Sequence, residues 1–320
     1  MDASLNDSVA LADIRAAQRR ISPHVLRTPL VFNASLSDQL GCRLHFKCEN
    51  LQHAGVFKVR GATNAVLSLT DEQARHGVVT HSSGNHAAAL ARAAQIRGVP
   101  AHIVMPHNSR PNKLAAVRAY GVEPVLCEPT AESRHATAEA LQHETGATLI
   151  HPYDNAAVIA GQGTVGLEIA AQLEDVECVV VPVGGGGLLA GVLIALKSLR
   201  PEVRVYAAEP QWADDAARSM RSGRIEQPTR YDTIADGLRT PLGELTFPIL
   251  RSLLDEVLLV SEDAIIRATR AIATQARLIA EPSGAASLAA VMEYADRFHG
   301  QRVVTVISGG NLDPTAFDWS

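Results

Sequence analysis

A lysine among apolar residues is the first candidate for chemistry in this sequence. Lys58 stands in "GVFKVRGATNAV", with Val56, Phe57 and Val59 around it and a run that predicts a helix after it. Burying an ammonium group without a partner costs free energy, so such a lysine tends to lose its proton. A partly desolvated amine is a nucleophile and a base, as Schiff-base chemistry requires. Lys58 is therefore either a surface lysine or a lysine placed to react.

Four consecutive glycines follow a very apolar run in "VVVPVGGGGLLAGVLIALKSL". Gly184–Gly187 end a predicted buried strand and precede an apolar helix. Such a loop lets the backbone approach a ligand closely and aims N–H groups and a helix dipole at an anion. The loop therefore predicts a phosphate site. It lacks the Lys-Ser/Thr pair of a Walker A loop, but Gly185-x-Gly187-x-x-Ala190 fits the dinucleotide fingerprint, with Glu209 about 20 residues further on. The segment alone leaves a dinucleotide and another phosphorylated cofactor open.

Two more glycine-containing loops follow predicted strands. In "VVTHSSGNHAAALA", Ser82 and Ser83 precede an alanine-rich helix, where one serine would serve as an ordinary N-cap. The same loop offers hydroxyl, amide and backbone N–H donors that suit a carboxylate. We expect His86 to be a packed, hydrogen-bonded helix residue rather than a catalytic one. In "VVTVISGGNLDP", Ser308 places a hydroxyl at the end of a buried strand.

Composition and charge are those of an ordinary globular protein. The 320 residues are 47% hydrophobic and 20% charged, with a formal net charge of -5. This balance gives no electrostatic reason to expect nucleic acid or an anionic membrane as a partner. The N-terminal stretch lacks the apolar core of a signal peptide and no apolar run reaches spanning length, so we expect a cytoplasmic protein. The four cysteines, Cys42, Cys48, Cys127 and Cys178, form no C-x-x-C pair and predict reduced thiols.

The pattern from residue 77 onward is a short apolar run, a turn and an amphipathic helix, repeated. Such alternation predicts βαβ units with parallel sheets covered on both faces. We expect a smaller domain over residues 71–150 and a larger one that joins residues 1–70 to 151–320. Parallel sheets place functional loops at the carboxyl ends of their strands, where the three loops above stand.

Four motifs in this order resemble the fold-type II pyridoxal-phosphate enzymes. They are "FKVRGA" around Lys58, "SSGNH" at 82–86, "GGGG" at 184–187 and "SGGN" at 308–311. The likeness extends to "HPYDNAAVIAGQGT", "AAEPQWADD" and "IAEPSGA", and the group most similar is that of serine racemase and the threonine and serine dehydratases. It implies a two-domain, tryptophan synthase beta-like α/β fold, a small amino-acid substrate and a homodimer.

The resemblance also assigns roles to residues of this chain. It implies that Lys58 binds pyridoxal 5'-phosphate as a Schiff base, that Phe57 packs on the ring and that Gly184–Gly187 bind the phosphate. Asn85 would contact the ring 3'-oxygen, Ser308 would meet the pyridine nitrogen and Gly237 would approach the other ring face. The implied substrate-binding residues are Ser82, Ser83, Gly84, Asn85, His86, Arg134 and Asn155.

The implied reaction is the deaminating dehydration of a β-hydroxy amino acid, first of all L-threonine or L-serine, to a 2-keto acid and ammonia. Lys58 would remove the α-proton, and Ser83 resembles the second acid/base of the racemases, which would add serine racemase activity. Val56, Ala87 and Ala88 depart from the family pattern close to the expected site. If Arg134 faces inward, threo-3-hydroxyaspartate becomes an alternative substrate. A substrate with a bulkier β-substituent, such as phenylserine, would use the space left by the small side chains of Ala87 and Ala88.

The remaining hypotheses concern a bound divalent cation and two other functional classes for the protein. The resemblance places magnesium or calcium on Glu209, Asp215 and the backbone carbonyl of Ala213, and oxygen ligands suit a hard cation. The competing interpretation is an NAD-type oxidoreductase, in which Glu209 would bind a ribose of the dinucleotide and Lys58 would have no special role. A non-catalytic binding protein with the same fold is the third hypothesis, and the intact lysine argues against it.

Overall fold

The computed structural model describes residues 9–82, 84–314 and 317, whose strands form two sheets. Strands β7 (Cys178–Pro182) and β10 (Arg302–Ile307) are buried along almost their whole length. Continuous burial is expected of parallel strands with helices on both faces, and it explains why these runs are uniformly apolar. The predicted α/β fold with parallel sheets flanked by helices is confirmed.

The larger sheet has six strands in the order β1-β2-β10-β7-β8-β9. Neighbouring strands are parallel except at one edge, where β1 pairs with β2 in the antiparallel sense. An antiparallel edge strand on an otherwise parallel sheet is common. The remaining four strands are β1 (Leu30–Phe32), β2 (Arg43–Cys48), β8 (Arg204–Pro210) and β9 (Glu256–Val260).

The smaller sheet has four strands, all parallel, in the order β5-β4-β3-β6. Its carboxyl edge therefore gathers the segments that follow each strand, including the Ser-Gly-Asn-His loop after β3 and the His-Pro-Tyr segment after β6. The strands are β3 (Val78–His81), β4 (Ala101–Pro106), β5 (Val125–Cys127) and β6 (Thr148–Leu149).

Fourteen α-helices surround the two sheets in the described residues. In the first half of the chain they are α1 (Leu11–Ile21), α2 (Ala34–Leu40), α3 (Lys58–Ser68), α4 (Asp71–His76), α5 (Asn85–Arg97), α6 (Pro111–Arg118) and α7 (Ala131–Thr145). In the second half they are α8 (Ala156–Gln172), α9 (Gly187–Leu199), α10 (Asp215–Ser222), α11 (Thr246–Leu253), α12 (Glu262–Ala271), α13 (Pro282–Glu293) and α14 (Ala295–Phe298).

Glycines let helix α8 pack closely against both α3 and α9. A β-carbon on Gly161 would lie 2.6 Å from the carbonyl oxygen of Arg60, and one on Gly191 would lie 2.5 Å from the backbone nitrogen of Gly163. Larger residues would push the backbones apart. The glycines of "AGQGTVG" are therefore packing residues, and through α8 they hold the helix that begins at Lys58.

A buried network of four charges fixes α3 from its other side. Arg60 donates to Glu49 and Glu168, with Nε and Nη1 each 2.7 Å from a carboxylate oxygen, and Lys47 Nζ lies 2.5 Å from Glu168. Arg60, Lys47 and Glu49 are wholly buried. Two cations thus face two carboxylates away from water, where a charge needs a partner. This network lies within one helical turn of Lys58.

The strands divide between the sheets as the chain pattern suggests, and the exact domain boundaries stay a prediction. All four strands of the smaller sheet fall between Val78 and Leu149, and α3 packs on helices of both sheets. No helix among the described residues is both long and apolar enough to cross a membrane. All four cysteines are buried and free, as predicted.

Candidate active site

Lys58 begins helix α3 and points toward the segment that follows the smaller sheet. Its Nζ donates to the carbonyl oxygen of Pro152 at 2.7 Å and lies 5.2 Å from the ring centroid of Phe57 and 6.0 Å from that of Tyr153. Desolvation lowers the pKa of Lys58 to about 8. No carboxylate of the described chain pairs with the amine to oppose this shift. The amine is therefore much easier to deprotonate than that of a surface lysine, which confirms the expectation of a desolvated lysine.

The glycine loop has the form of an anion cradle. Gly186 adopts φ +86°, a conformation that favours glycine, and the amides of Gly185, Gly186 and Gly187 donate to no described residue. Helix α9 begins at Gly187, so its N-terminal dipole points into the loop. Unsatisfied N–H groups and a helix terminus together fit a phosphate.

Tyr153 covers this loop, a contact that the sequence did not suggest. A β-carbon on Gly185 would lie 2.4 Å from three ring atoms of Tyr153, and one on Gly187 would meet its backbone at 3.0 Å. The ring is thus close to both the loop and Lys58. Its position directly after "HP" in a motif shared with the family was the one signal that could have identified it.

Gly237 lies beside the glycine loop. A β-carbon on Gly184 would be 3.1 Å from the carbonyl oxygen of Gly237, and the Gly237 amide donates to Ser283 Oγ at 2.9 Å. The structure therefore brings the "IADG" motif and the four glycines together although about 50 residues separate them in sequence. The predicted contact of Gly237 with the cofactor ring stays a prediction.

Ser308 and the residues before Lys58 are joined through the backbone. The Phe57 amide donates to the Ser308 carbonyl oxygen at 3.0 Å, and Val56 pairs with Gly309 in an isolated bridge. Ser308 is a buried residue, and its hydroxyl makes no hydrogen bond to another described residue. The strand end thus presents a polar group near the lysine segment.

Asn85 lies at the start of α5 and reaches across to the larger sheet. Its Nδ2 donates to Glu281 Oε1 at 2.7 Å, and its Oδ1 accepts from Asn311 Nδ2 at 2.8 Å. Asn311 belongs to the same "SGGN" loop as Ser308. Asn85 is therefore tied by a hydrogen bond to the loop that begins at Ser308.

The loop that precedes α5 differs from the plain N-cap interpretation. Gly84 occupies the N-cap position, and no described side chain caps the helix, while Ser82 Oγ accepts from the Gly84 amide at 3.4 Å. The N-cap interpretation is thus wrong for Ser82, because the helix begins one residue after Gly84. Ser83, predicted as the second acid/base, lies outside the described residues.

The other three predicted substrate residues have protein partners. His86 is packed as expected, with Nε2 3.1 Å from the carbonyl oxygen of Ile150, and its Nδ1 is buried without a partner in the described chain. Asn155 caps α8 by accepting from the Val158 amide at 3.0 Å. Arg134, in the first turn of α7, donates from Nε to the carbonyl oxygen of Thr130, just before the same helix. None of the three contacts Lys58 directly, so their substrate roles stay predictions.

A histidine cluster at the carboxyl edge of the smaller sheet was not predicted. The His81 ring lies 4.3 Å from that of His135 and 6.2 Å from that of His151, and His151 contacts Tyr153 at 4.6 Å between centroids. Burial and the neighbouring positive groups, including Arg134, lower the pKa of His81 to about 4. The ring contacts run from Lys58 through Tyr153 to the histidines, and Arg134 adds its charge near His81. His81, His135 and His151 are too far apart in the sequence, by 54 and 16 residues, for a local motif to predict that they meet.

The predicted metal ligands form a buried acidic site. Both carboxylate oxygens of Glu209 accept backbone amides, from Ala216 at 2.6 Å and Ala217 at 2.8 Å. Both oxygens of Asp215 are buried without a partner among the described residues, and desolvation raises its pKa to about 7. Burial and Asp215 also raise the pKa of Glu209. Two desolvated carboxylates beside the buried Ala213 fit a hard cation, and the assignment stays a prediction.

Three comparisons place this geometry among known proteins. A family model described as "Pyridoxal-phosphate dependent enzyme" matches residues 21–309. The structure of maize serine racemase is 44% identical with a TM-score of 0.94, covering 96% of this chain and 95% of that one. The structure of the T.th. threonine deaminase is 48% identical with a TM-score of 0.91, covering 95% of this chain and 99% of that one. The beta-hydroxyaspartate dehydratase of Paracoccus denitrificans is 44% identical, covering 96% of this chain and 98% of that protein.

These likenesses confirm the predicted fold type and pyridoxal phosphate as the cofactor, and they support a lyase of the ammonia-releasing kind. They favour neither the nicotinamide interpretation of the glycine loop nor a protein without catalysis. The residues also fit the cofactor: free loop amides for a phosphate, a desolvated lysine, and the unengaged hydroxyl of Ser308. With a family model matched over nearly the whole described chain, this protein belongs to the pyridoxal-phosphate dependent enzymes.

Proposed function

We propose that this enzyme is a deaminating dehydratase of β-hydroxy amino acids, with L-threonine and L-serine as its first candidate substrates. The observation that carries the proposal is the desolvated amine of Lys58, held 2.7 Å from the Pro152 carbonyl oxygen between two aromatic rings. An amine in such a place can exchange a covalent partner and then act as a base. The relatives named above include a threonine deaminase and a hydroxyaspartate dehydratase.

Four groups of this chain would hold the cofactor. Lys58 would bind its aldehyde carbon, the amides of Gly184–Gly187 its phosphate, Asn85 its ring oxygen and Ser308 its ring nitrogen. When bound, pyridoxal phosphate supplies an electron-withdrawing system that makes the substrate α-proton acidic. Ser308 would offer a neutral hydroxyl to the ring nitrogen, and a hydroxyl stabilises a positive charge there less than a carboxylate would.

Lys58 would carry the proton transfers on one side of the substrate. A pKa near 8 leaves a substantial fraction of the amine unprotonated at neutral to mildly alkaline pH, so it can accept the α-proton. The β-hydroxyl then leaves as one water, and hydrolysis of the released enamine, through its imine tautomer, consumes one water and releases ammonia. The balanced result is one 2-keto acid and one ammonia per amino acid. A racemase activity depends on Ser83 as the second acid/base and is part of the same proposal.

A second substrate, 3-hydroxyaspartate, is favoured by the histidine cluster. His81, His135 and Arg134 stand together at the carboxyl edge of the smaller sheet, connected to Lys58 through His151 and Tyr153. A second carboxylate on the substrate would be attracted to a guanidinium and would favour protonated imidazoles. One relative is a beta-hydroxyaspartate dehydratase.

The phenylserine alternative has less support. Ala87 and Ala88 are both buried, and Ala87 packs in the core of the smaller unit with Val59 and Leu90. Neither alanine therefore presents an open surface to a bulky β-substituent.

The test is a keto-acid release assay on the purified holoenzyme. The panel is L- and D-serine, L-threonine, threo- and erythro-3-hydroxyaspartate and phenylserine, each with and without magnesium. We expect keto-acid release from at least one of these amino acids, and we expect Lys58→Ala to abolish it. Lys197→Ala is the control and should keep the release, because Lys197 lies at the far end of α9, where it pairs with Asp255. A Lys58→Ala protein with unchanged turnover would contradict the proposal.

A further inference from the structure

The carboxyl group of Glu281 lies between the two loops predicted to hold the cofactor ring. Its Oε1 accepts from Asn85 Nδ2 at 2.7 Å. A β-carbon on Gly309 would be 2.4 Å from the same oxygen, so the carboxyl lies directly over the residue after Ser308. The Glu281 amide donates to the Gly309 carbonyl oxygen at 3.0 Å. Glu281 is thus fixed to the strand-end loop and reaches from it to α5.

The hydrogen bonds around Asn85 determine which way its amide points. Asn311 Nδ2 donates both to the carbonyl oxygen of Ala54 and to Asn85 Oδ1, so it is a donor to Asn85. Glu281 Oε1 accepts from the opposite side, which requires the NH2 group of Asn85 there. With its oxygen and one N–H engaged, Asn85 retains one N–H that can be directed at a ligand.

Glu281 has no cation in direct contact among the described residues. The charged groups in its surroundings are Asp236, just before Gly237, and Lys113 of α6, and these two pair with each other at 2.8 Å. Burial, and next Asp236, raise the pKa of Glu281 to about 7, against the opposing effects of Asn85 and Lys113. Its proton is therefore gained or lost near neutral pH.

We propose that Glu281 is a positioning residue that holds Asn85 with an N–H toward the ring oxygen of the cofactor. The inference rests on the proposed function only in taking Asn85 as the ring contact. Because Asn85 belongs to the smaller α/β unit and Glu281 to the larger one, the same bond ties the two units together at the cofactor. An ionised carboxylate is the stronger acceptor, so this orientation weakens as the pH falls through about 7.

The experiment measures cofactor affinity rather than turnover. Apoenzyme is titrated with pyridoxal phosphate by absorbance in the wild type, Glu281→Gln, Asn85→Ala and the double variant, with Glu139→Gln on the exposed face of α7 as the control. We expect Glu281→Gln and Asn85→Ala each to weaken affinity roughly tenfold, and the double variant to be no weaker than Asn85→Ala alone. The absorbance of bound cofactor should titrate near pH 7 in the wild type and lose that step in Glu281→Gln.

Two results would overturn the proposal: unchanged affinity in Glu281→Gln, or losses that multiply in the double variant. If Glu281→Gln does not fold, Asn311→Ala serves instead, because it removes the other hydrogen-bond partner of Asn85. A double variant of Asn311→Ala and Asn85→Ala should then bind the cofactor no more weakly than Asn85→Ala alone. Thermal unfolding of each apoenzyme separates loss of fold from loss of orientation. A wild type that binds the cofactor and releases no keto acid refutes the proposed function, whereas equal affinity in Glu281→Gln refutes this inference alone.

Discussion

The ring of Tyr153 lies flat against Gly185, so close that a β-carbon at position 185 would come within 2.4 Å of three ring atoms. This contact closes one side of the glycine loop and brings the segment after the smaller sheet against it. Since Pro152 also accepts the hydrogen bond of Lys58, residues 152 and 153 connect the reactive amine to the anion cradle. The lysine and the loop are separated by more than 120 residues and share these two neighbours.

Gly185→Ala should weaken binding of pyridoxal phosphate by at least tenfold, because the added methyl group and the Tyr153 ring cannot occupy the same space. The measurement is a cofactor titration of apoenzyme followed by absorbance. Removing the ring in a Gly185→Ala, Tyr153→Ala double variant should recover part of the affinity. Affinity equal to the wild type in Gly185→Ala would show that the loop does not hold the phosphate.

Cofactor capture should follow the protonation of Lys58. Its pKa of about 8 is lowered from 10.5 by desolvation, so half of the amine of the apoenzyme is free at about pH 8 and the free fraction levels off above about pH 9. Stopped-flow absorbance of apoenzyme mixed with cofactor should show a rate that increases most steeply around pH 8 and flattens beyond about pH 9. A rate that keeps rising to pH 10 would mean that the amine titrates like an exposed lysine.

Arg60→Met should lower the free energy of unfolding by about 3–5 kcal/mol, because it leaves Glu49 and Glu168 buried with less compensating charge. Chemical denaturation of the apoenzyme gives this value. The matched control is Arg118→Met, whose partner Glu123 is at the surface, and it should cost no more than about 1 kcal/mol. Equal effects of the two substitutions would argue against a structural role of the buried network.

Magnesium should raise the thermal unfolding temperature, and the rise should be larger at pH 8 than at pH 6. The carboxyl groups of Glu209 and Asp215 have raised pKa values, about 7 for Asp215, so protons compete with the cation as the pH falls through that value. Asp215→Asn should abolish the rise, whereas Asp232→Asn, at an exposed carboxylate paired with Arg230, should keep it. A magnesium effect that survives Asp215→Asn would place the cation elsewhere.

The local sequence was sufficient to predict helices and strands and to identify the residues whose sequence neighbours are unusual for their type. Apolar runs that end in glycine predicted β7 and the start of α9, because a buried parallel strand, a tight loop and a helix each leave a pattern within a few residues. Lys58 was identifiable for the same reason, since an uncompensated lysine among apolar neighbours is rare. The four motifs in their order then predicted the cofactor.

The relationships across the two sheets were decided by the tertiary structure alone. Glu281 meets Asn85 across 196 residues and His81 meets His135 across 54, because the packing of helices and loops on the two sheets brings distant segments of the chain together. The N-cap interpretation of Ser82 was wrong because α5 starts at Asn85, which puts Gly84 at the N-cap position. Sequence therefore determined which chemical groups are present and where each element ends, whereas packing determined which groups touch, how much water reaches them and hence which of them titrate near neutral pH.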